Sequence, residues 1–230
     1  MNGMRRAFAG FVVATGLLFS ASALAQVVLT FEGLKDQEPV NNFYNGGTGG
    51  QGSGPGGNFG IVFTPTSLAI IEAAQGGSGN FSGEPSPKTI LFFLTGSAIM
   101  NVNAGFTTGF SFYYSAINNP GVVNVWSGPN ATGTLLATLN LPVTPSGGAG
   151  CTGAFCPFFP VGVTFSGTAH SVDFGGTVNQ IGFDNITIGS ATPGGAANTT
   201  VPTLGDPALI ALAVLLSLIG MFAVARYRRR

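Results

Sequence analysis

From residue 26 to about 190 the chain alternates apolar and polar positions in short runs. Gly, Pro and Asn break these runs at intervals of roughly 8–15 residues. Period-2 stretches at Val27–Phe31, Gly60–Phe63, Leu68–Ile71, Thr89–Leu94, Ala98–Val102 and Gly109–Tyr114 predict strands. So do those at Val122–Trp126, Thr134–Leu139, Val161–Phe165, Ser171–Phe174 and Gln180–Ile188. No stretch in this region sustains a period of 3.6. Many short strands with turn residues between them predict an all-β fold, a jelly-roll-like β-sandwich over residues 26–190. Nine of the residues from Asn41 to Gly60 are Gly, which predicts a flexible loop. Residues 191–200 read as a linker of Ala, Thr, Gly, Pro and Asn.

The two ends follow a different pattern: each has a continuous apolar run beside arginine. Arg5 and Arg6 precede an apolar segment from Ala7 to Phe19, and Ala23-Leu24-Ala25 follows with small residues. This is the order of a secretory signal peptide over residues 1–25, with cleavage between Ala25 and Gln26. The Sec translocon and signal peptidase are its implied partners; an uncleaved anchor is the alternative. At the other end, Ala208–Ala225 has no charge and is followed by Arg226, Arg228, Arg229 and Arg230. As a helix this segment spans about 27 Å, close to the ~30 Å of a hydrocarbon core. The basic cluster keeps its own side cytoplasmic, so a transmembrane helix at 208–225 would leave the middle region outside. With no polar face and an arginine cluster at its end, the segment does not read as a buried core helix.

Val201-Pro202-Thr203-Leu204, the apolar segment and the arginine tail together resemble the C-terminal sorting signals of Gram-negative bacteria of the PEP-CTERM type, in its IPTL variant. The resemblance covers roughly the last 30 residues, 201–230. Two departures are Val201 for the usual Ile and Gly205-Asp206-Pro207 for the usual Ser-Glu-Trp. The resemblance implies sorting by an exosortase-type enzyme at the inner membrane, followed by display at the cell surface or release outside. Retention as a simple membrane anchor is the alternative. Residues 105–126 and the segments SGPNATGTLLATLNL and GTAHSVDFGGTVNQIGFDNITIG resemble extracellular sandwich domains that accompany such tails. That similarity implies a surface protein and carries no activity with it.

Composition sharpens this picture. Only 7% of the 230 residues are charged, against 45% hydrophobic. Every arginine lies near a terminus, which leaves Lys35 and Lys88 against seven acids between residues 26 and 200, a net charge of −5. Nucleic acid is excluded as a partner, because displacing phosphate counterions takes several clustered cations.

Four sets of residues are candidates for chemistry. Cys151 and Cys156 are the only cysteines, and in an exported chain they predict a disulfide. Glu32 closes the first strand and Asp184 lies in the last. Likeness to jelly-roll carbohydrate modules implies a structural calcium between such a pair, with backbone carbonyls or Asn185 helping; two exposed acids are the alternative. Trp126 and Asn124 share one strand face. If Gly109–Tyr114 and Val122–Trp126 form a hairpin with apolar faces matched, Phe112 meets Val125 and Tyr113 meets Asn124. Trp126, Tyr113 and Asn124 would then form a sugar-stacking platform for extracellular polysaccharide; a Trp covering the domain edge is the alternative. Catalysis is poorly served: His170 is the lone histidine, on an apolar strand face, and no carboxylate pair stands out for glycosidic chemistry. Glu72 and Glu84 flank a Gly-rich turn and read as solvated loop acids. The expectation is a non-catalytic surface or matrix protein, with a carbohydrate-binding module or adhesin as the alternative and a polysaccharide-acting enzyme third.

Overall fold

The computed structural model describes residues 26–194, which fold into two antiparallel sheets packed face to face. The chain order is β1 (Val27–Leu29), β2 (Glu38–Pro39), β3 (Ile61–Phe63), β4 (Leu68–Ile71), β5 (Thr89–Phe92) and β6 (Ala98–Phe106). Then come β7 (Gly109–Ser115), β8 (Gly121–Trp126), β9 (Leu135–Leu141), β10 (Phe159–Thr164), β11 (Ala169–Gly176) and β12 (Gly182–Ile188). The first sheet runs β10-β7-β12-β5-β4-β2, with β1 also on β12; the second runs β3-β6-β11-β8-β9. No helix among the described residues is long and apolar enough to cross a membrane. The expected signal peptide and cleavage site, most of the linker, and the sorting motif and helix lie outside them.

All eleven predicted strands are present, and along most of them alternation puts apolar residues on the inner face. On β8, Val123 and Val125 are buried; on β11, Val172 and Phe174; on β7, Phe110, Phe112 and Tyr114. Phe174 projects from the second sheet into the first, with ring centroids 5.0 Å from Phe183, 5.9 Å from Phe112 and 6.0 Å from Phe110. This aromatic cluster sits at the centre of the core. At about 25 cal/mol per Å² of apolar surface removed from water, rings of this size dominate the burial free energy.

Two expectations are corrected. β7 and β8 form no hairpin: β7 pairs with β10 and β12, and β8 with β11 and β9. Residues 116–120 carry the chain from one sheet to the other. The apolar faces of the two strands do meet, but across the core rather than side by side. The glycine-rich 41–60 segment is not a loose loop either. It folds back on itself through Asn45–Asn58 pairing and backbone bonds such as Gly49 N–H to Ser53 O (2.9 Å) and Gly56 N–H to Phe43 O (3.1 Å).

Glycine in this segment serves close approach. A Cβ on Gly49 would lie 2.5 Å from Glu38 Oε1, and that carboxylate organises the loop. Glu38 is fully buried. Its Oε1 accepts from Gln51 N (2.7 Å) and Ser53 N (3.1 Å), and its Oε2 from Lys35 N (2.7 Å).

Candidate functional site

The outer face of the second sheet carries Trp126 and Asn124. Burying Val123 and Val125 forces their neighbours outward. Register then sets Asn124 opposite Asp173 and Trp126 opposite Ser171 on β11, so Trp126 and Asp173 are diagonal neighbours. On the other flank, β9 places Thr138 beside Asn124 and Leu135, 46% exposed, beside Trp126. Asn124 Oδ1 accepts from Thr138 Oγ1 at 2.8 Å, which fixes the amide.

The 127–133 turn is stitched onto this face. Ser171 Oγ donates to Gly128 O (2.6 Å) and accepts from Ala131 N (2.9 Å). Asn101 Oδ1 accepts from Asn130 N (2.7 Å), and Asn101 Nδ2 donates to Asn130 Oδ1 (2.9 Å). Within this network two buried atoms have no partner, Trp126 Nε1 and Asp173 Oδ1. One is a donor and the other an acceptor. A hydroxyl group can accept from the first or donate to the second.

Tyr113 does not belong to this face. It lies on β7, opposite Pro160 of β10 and Asp184 of β12. Its ring packs against a small cluster of Phe81, Ile90 and Phe158 on the outside of the first sheet. The expected platform therefore divides: Trp126 and Asn124 remain together, and Tyr113 is on the opposite side of the sandwich. Asp173, Thr138, Asn101 and Asn130 join the first two instead. Asp173 was open to a sequence reading, since it sits outward beside two core residues; the Asn101–Asn130 pair is long-range and left no local signal. His170 is half-buried beside a β-bulge, where Ala169 pairs with Phe106 but Ser171 pairs with Asn101. The bulge breaks the expected His170-Val172-Phe174 alternation.

Glu32 and Asp184 are brought to one region but do not fit a calcium site. Calcium requires six to eight oxygens free to coordinate. Glu32 Oε1 is already taken by Lys88 N (2.9 Å) and Thr89 N (2.8 Å). Asp184 Oδ2 accepts from Ser86 N (2.7 Å), and its Oδ1 from Ser86 Oγ (2.9 Å) and Asn185 N (2.7 Å). No group of three or more His, Cys, Asp or Glu among the described residues is placed to hold a metal ion. Both carboxylates instead anchor the 84–89 loop.

Glu72 and Glu84 also depart from expectation, since neither is a solvated loop acid. Glu72 is buried, and both oxygens of Glu84 are buried without a hydrogen-bond partner. Burial pushes the Glu84 carboxyl up to about 7, and the Glu72 and Glu32 charges add to it. Burial likewise raises Asp184 to about 7, against the hydrogen bonds from Ser86 and Asn185. A folded-state pKa above the ordinary value favours the fold while the group is protonated, and that advantage is lost as pH rises through about 7. The melting temperature is therefore expected to fall between about pH 5 and about pH 8. Glu84→Gln should flatten that slope and melt a few degrees above wild type at the upper end. A thermal-unfolding series across pH checks it; a variant with the wild-type slope would show that Glu84 does not set it.

The Cys151–Cys156 disulfide is present, with a Cα–Cα distance of 5.6 Å. Ser82 Oγ accepts from Thr152 N and Gly153 N, both at 2.8 Å, and this ties the disulfide loop to the 72–82 segment.

No family model and no curated protein matches the chain. Among solved structures, it is similar to a glycoside hydrolase family 43 arabinoxylan arabinofuranohydrolase from Bacillus subtilis in complex with cellotetraose. The identity is 19% and the TM-score 0.35, over 57% of this chain and 27% of that one. It is also similar to the carbohydrate-binding module CBM6cm-2 from Cellvibrio mixtus lichenase 5A in complex with cellotriose. There the identity is 11% and the TM-score 0.31, over 54% of this chain and 87% of that one. Both are partial overlaps.

Proposed function

We propose that this chain is an exported, non-catalytic surface or matrix protein whose jelly-roll-like sandwich binds neutral polysaccharide through the outer face of the second sheet. The observation that carries the reading is the pairing of an outward indole with orphaned polar atoms of opposite sense. Trp126 Nε1–H and Asp173 Oδ1 lack protein partners, and Asn124, Thr138 and Asn101 surround them with amides and a hydroxyl. A sugar ring offers what such a face lacks: an apolar C–H surface for the indole and hydroxyls that both donate and accept. Both atoms are buried, so a sugar hydroxyl reaches them only after a local shift of what covers them.

The arginine-flanked apolar ends and the Val201-Pro202-Thr203-Leu204 motif support export through the Sec pathway and sorting by an exosortase-type enzyme. The outcome would be a protein at the cell surface or in the extracellular matrix. Intact mass of the protein recovered from cells tests that part, because loss of residues 1–25, trimming near the motif and the deficit of two hydrogens each read separately.

Affinity electrophoresis of the full-length protein in gels containing the producing organism's own polysaccharide tests the binding. Trp126→Ala is expected to weaken retention about tenfold, and Trp126→Phe less, since it keeps a ring but loses the N–H. Retention unchanged in Trp126→Ala would end the reading.

A further inference from the structure

The opposite side of the sandwich holds a cavity that no sequence motif announced. It has a volume of about 310 Å³ on the outer face of the first sheet. Its floor is strand: Ile70 and Ile90, directly paired between β4 and β5, with Phe92 further along β5. These side chains face outward because Leu91 and Phe93 between and after them fill the core. Gly182 of β12 keeps the floor open, for a Cβ there would lie 2.6 Å from Ile90 Cδ1.

The walls come from four separate loops. Asn80 stands on one, Phe155 on the disulfide loop, Asn118 between β7 and β8, and Gln180 before β12. The disulfide loop is held against the first of these by Phe155 N to Asn80 O (3.1 Å) and Ala154 N to Asn80 Oδ1 (3.1 Å).

Two properties define what fits. None of the lining residues carries a charge. The rim also has both donors and acceptors to spare. Asn80 uses its Oδ1 on Ala154 N, which leaves its Nδ2 for a ligand. Gln180 Oε1 accepts from the amides of Asn118 (3.5 Å) and Asn119 (3.3 Å), leaving Gln180 Nε2 and Asn118 Oδ1. Ser78 Oγ accepts from Gln37 Nε2 and keeps its own O–H. A wholly apolar ligand would strip water from these amides without replacing its hydrogen bonds. A charged ligand would find no counter-ion. An uncharged polyol with one flat apolar face satisfies both floor and rim.

We propose that this cavity is a second saccharide site, which takes the end of a neutral sugar chain or a free disaccharide. Its volume lies at the small end of ligand pockets, and its walls close it on several sides, so it suits a chain terminus. The Trp126 face is open along the strands and suits the middle of a chain. The two sites look outward from opposite sheets. If the polysaccharide reading of the Trp126 face holds, on which this last step rests, one domain joins two chains.

The test uses the full-length protein and a panel of neutral disaccharides (cellobiose, xylobiose, maltose, mannobiose and galactobiose) by isotope-edited NMR, with a glucuronate-containing disaccharide as the charged control. At least one neutral disaccharide is expected to bind and to shift the side-chain amide signals of Asn80, Asn118 or Gln180. Loss of two rim hydrogen bonds in Asn118→Ala/Gln180→Ala should weaken it about tenfold. Both side chains lie at the surface or half-buried, so the fold should survive, and the unchanged signals of Phe174 and Trp126 report that it does. Trp126→Ala should leave disaccharide binding intact.

No neutral disaccharide bound, undiminished binding in the double variant, or equal binding of the glucuronate would each overturn the cavity site. Disaccharide binding without polysaccharide retention would sink the Trp126 reading alone. Retention without disaccharide binding would sink only the cavity.

Discussion

Glu38→Ala is expected to destabilise the domain by about 3–5 kcal/mol, the sum of several charge-assisted hydrogen bonds lost and their donors left buried. Three backbone N–H groups, from Lys35, Gln51 and Ser53, converge on this one carboxylate. None has an alternative acceptor on a neighbouring strand, because the 41–60 segment has no ladder of its own beyond the Asn45–Asn58 bridge. Removing the acceptor therefore leaves these donors buried and loosens the 49–53 turn against β2. Burial pushes the Glu38 carboxyl up, but the bonds from Ser53, Lys35 and Gln51 outweigh it and hold the pKa below its ordinary value. The sign follows: Glu38 stabilises the fold above its unfolded pKa, and that contribution disappears as pH falls through the lowered folded value. Glu84 and Asp184 act the other way near neutrality, so stability should peak in mild acid and decline on both sides. Glu38→Gln should lose part of the stabilisation, since one carboxylate oxygen is replaced by an amide N–H that faces a donor, and should abolish the acid-side decline. Urea unfolding at neutral and acid pH measures both. A Glu38→Ala midpoint close to wild type would show that the loop is held by something other than this carboxylate.

The strand pattern was legible because each strand buries one face, and period 2 records that directly. β2 was missed for a physical reason: it is two residues long, contains Pro39, and pairs only with β4 at the sheet edge. Pairing was less legible than strand position. Matched apolar faces on Gly109–Tyr114 and Val122–Trp126 fit a hairpin and fit two strands facing each other across a core; only the connection at 116–120 decides, and its Asn118-Asn119-Pro120 suits a turn in either case. That single ambiguity moved Tyr113 away from Trp126. The disulfide was legible from two cysteines alone. The cavity was not, since Asn80, Asn118 and Gln180 lie in segments far apart in sequence, where an asparagine or glutamine reads as a turn residue. Glu72 and Glu84 looked like solvated acids because sequence shows charge but not the burial around it.

Phe174→Ala should cost about 4–5 kcal/mol, at the upper end of the range for a buried aromatic. Phe174 is fully buried, on β11, with β6 and β8 on either side. Its ring meets Phe110, Phe112 and Phe183 edge-on from the opposite sheet, so truncation removes both burial and three aromatic contacts. The site resists collapse, because the strands on both sides are locked by ladder bonds and the facing rings are themselves packed against one another. Phe112 and Phe183 lie 5.5 Å apart, and Phe110 and Phe112 5.6 Å. Phe174→Leu keeps most of the volume and should cost about 1–2 kcal/mol. The same pair of variants separates stability from binding. Asp173, next in sequence, points the other way, so folded Phe174→Leu should retain wild-type polysaccharide affinity while folded Trp126→Ala loses it. Urea unfolding with an unchanged m-value, run beside the affinity gels, reads both quantities. A Phe174→Ala loss no larger than that of Phe174→Leu would mean that the two sheets can close over the cavity, and that the aromatic cluster is not the centre of the core.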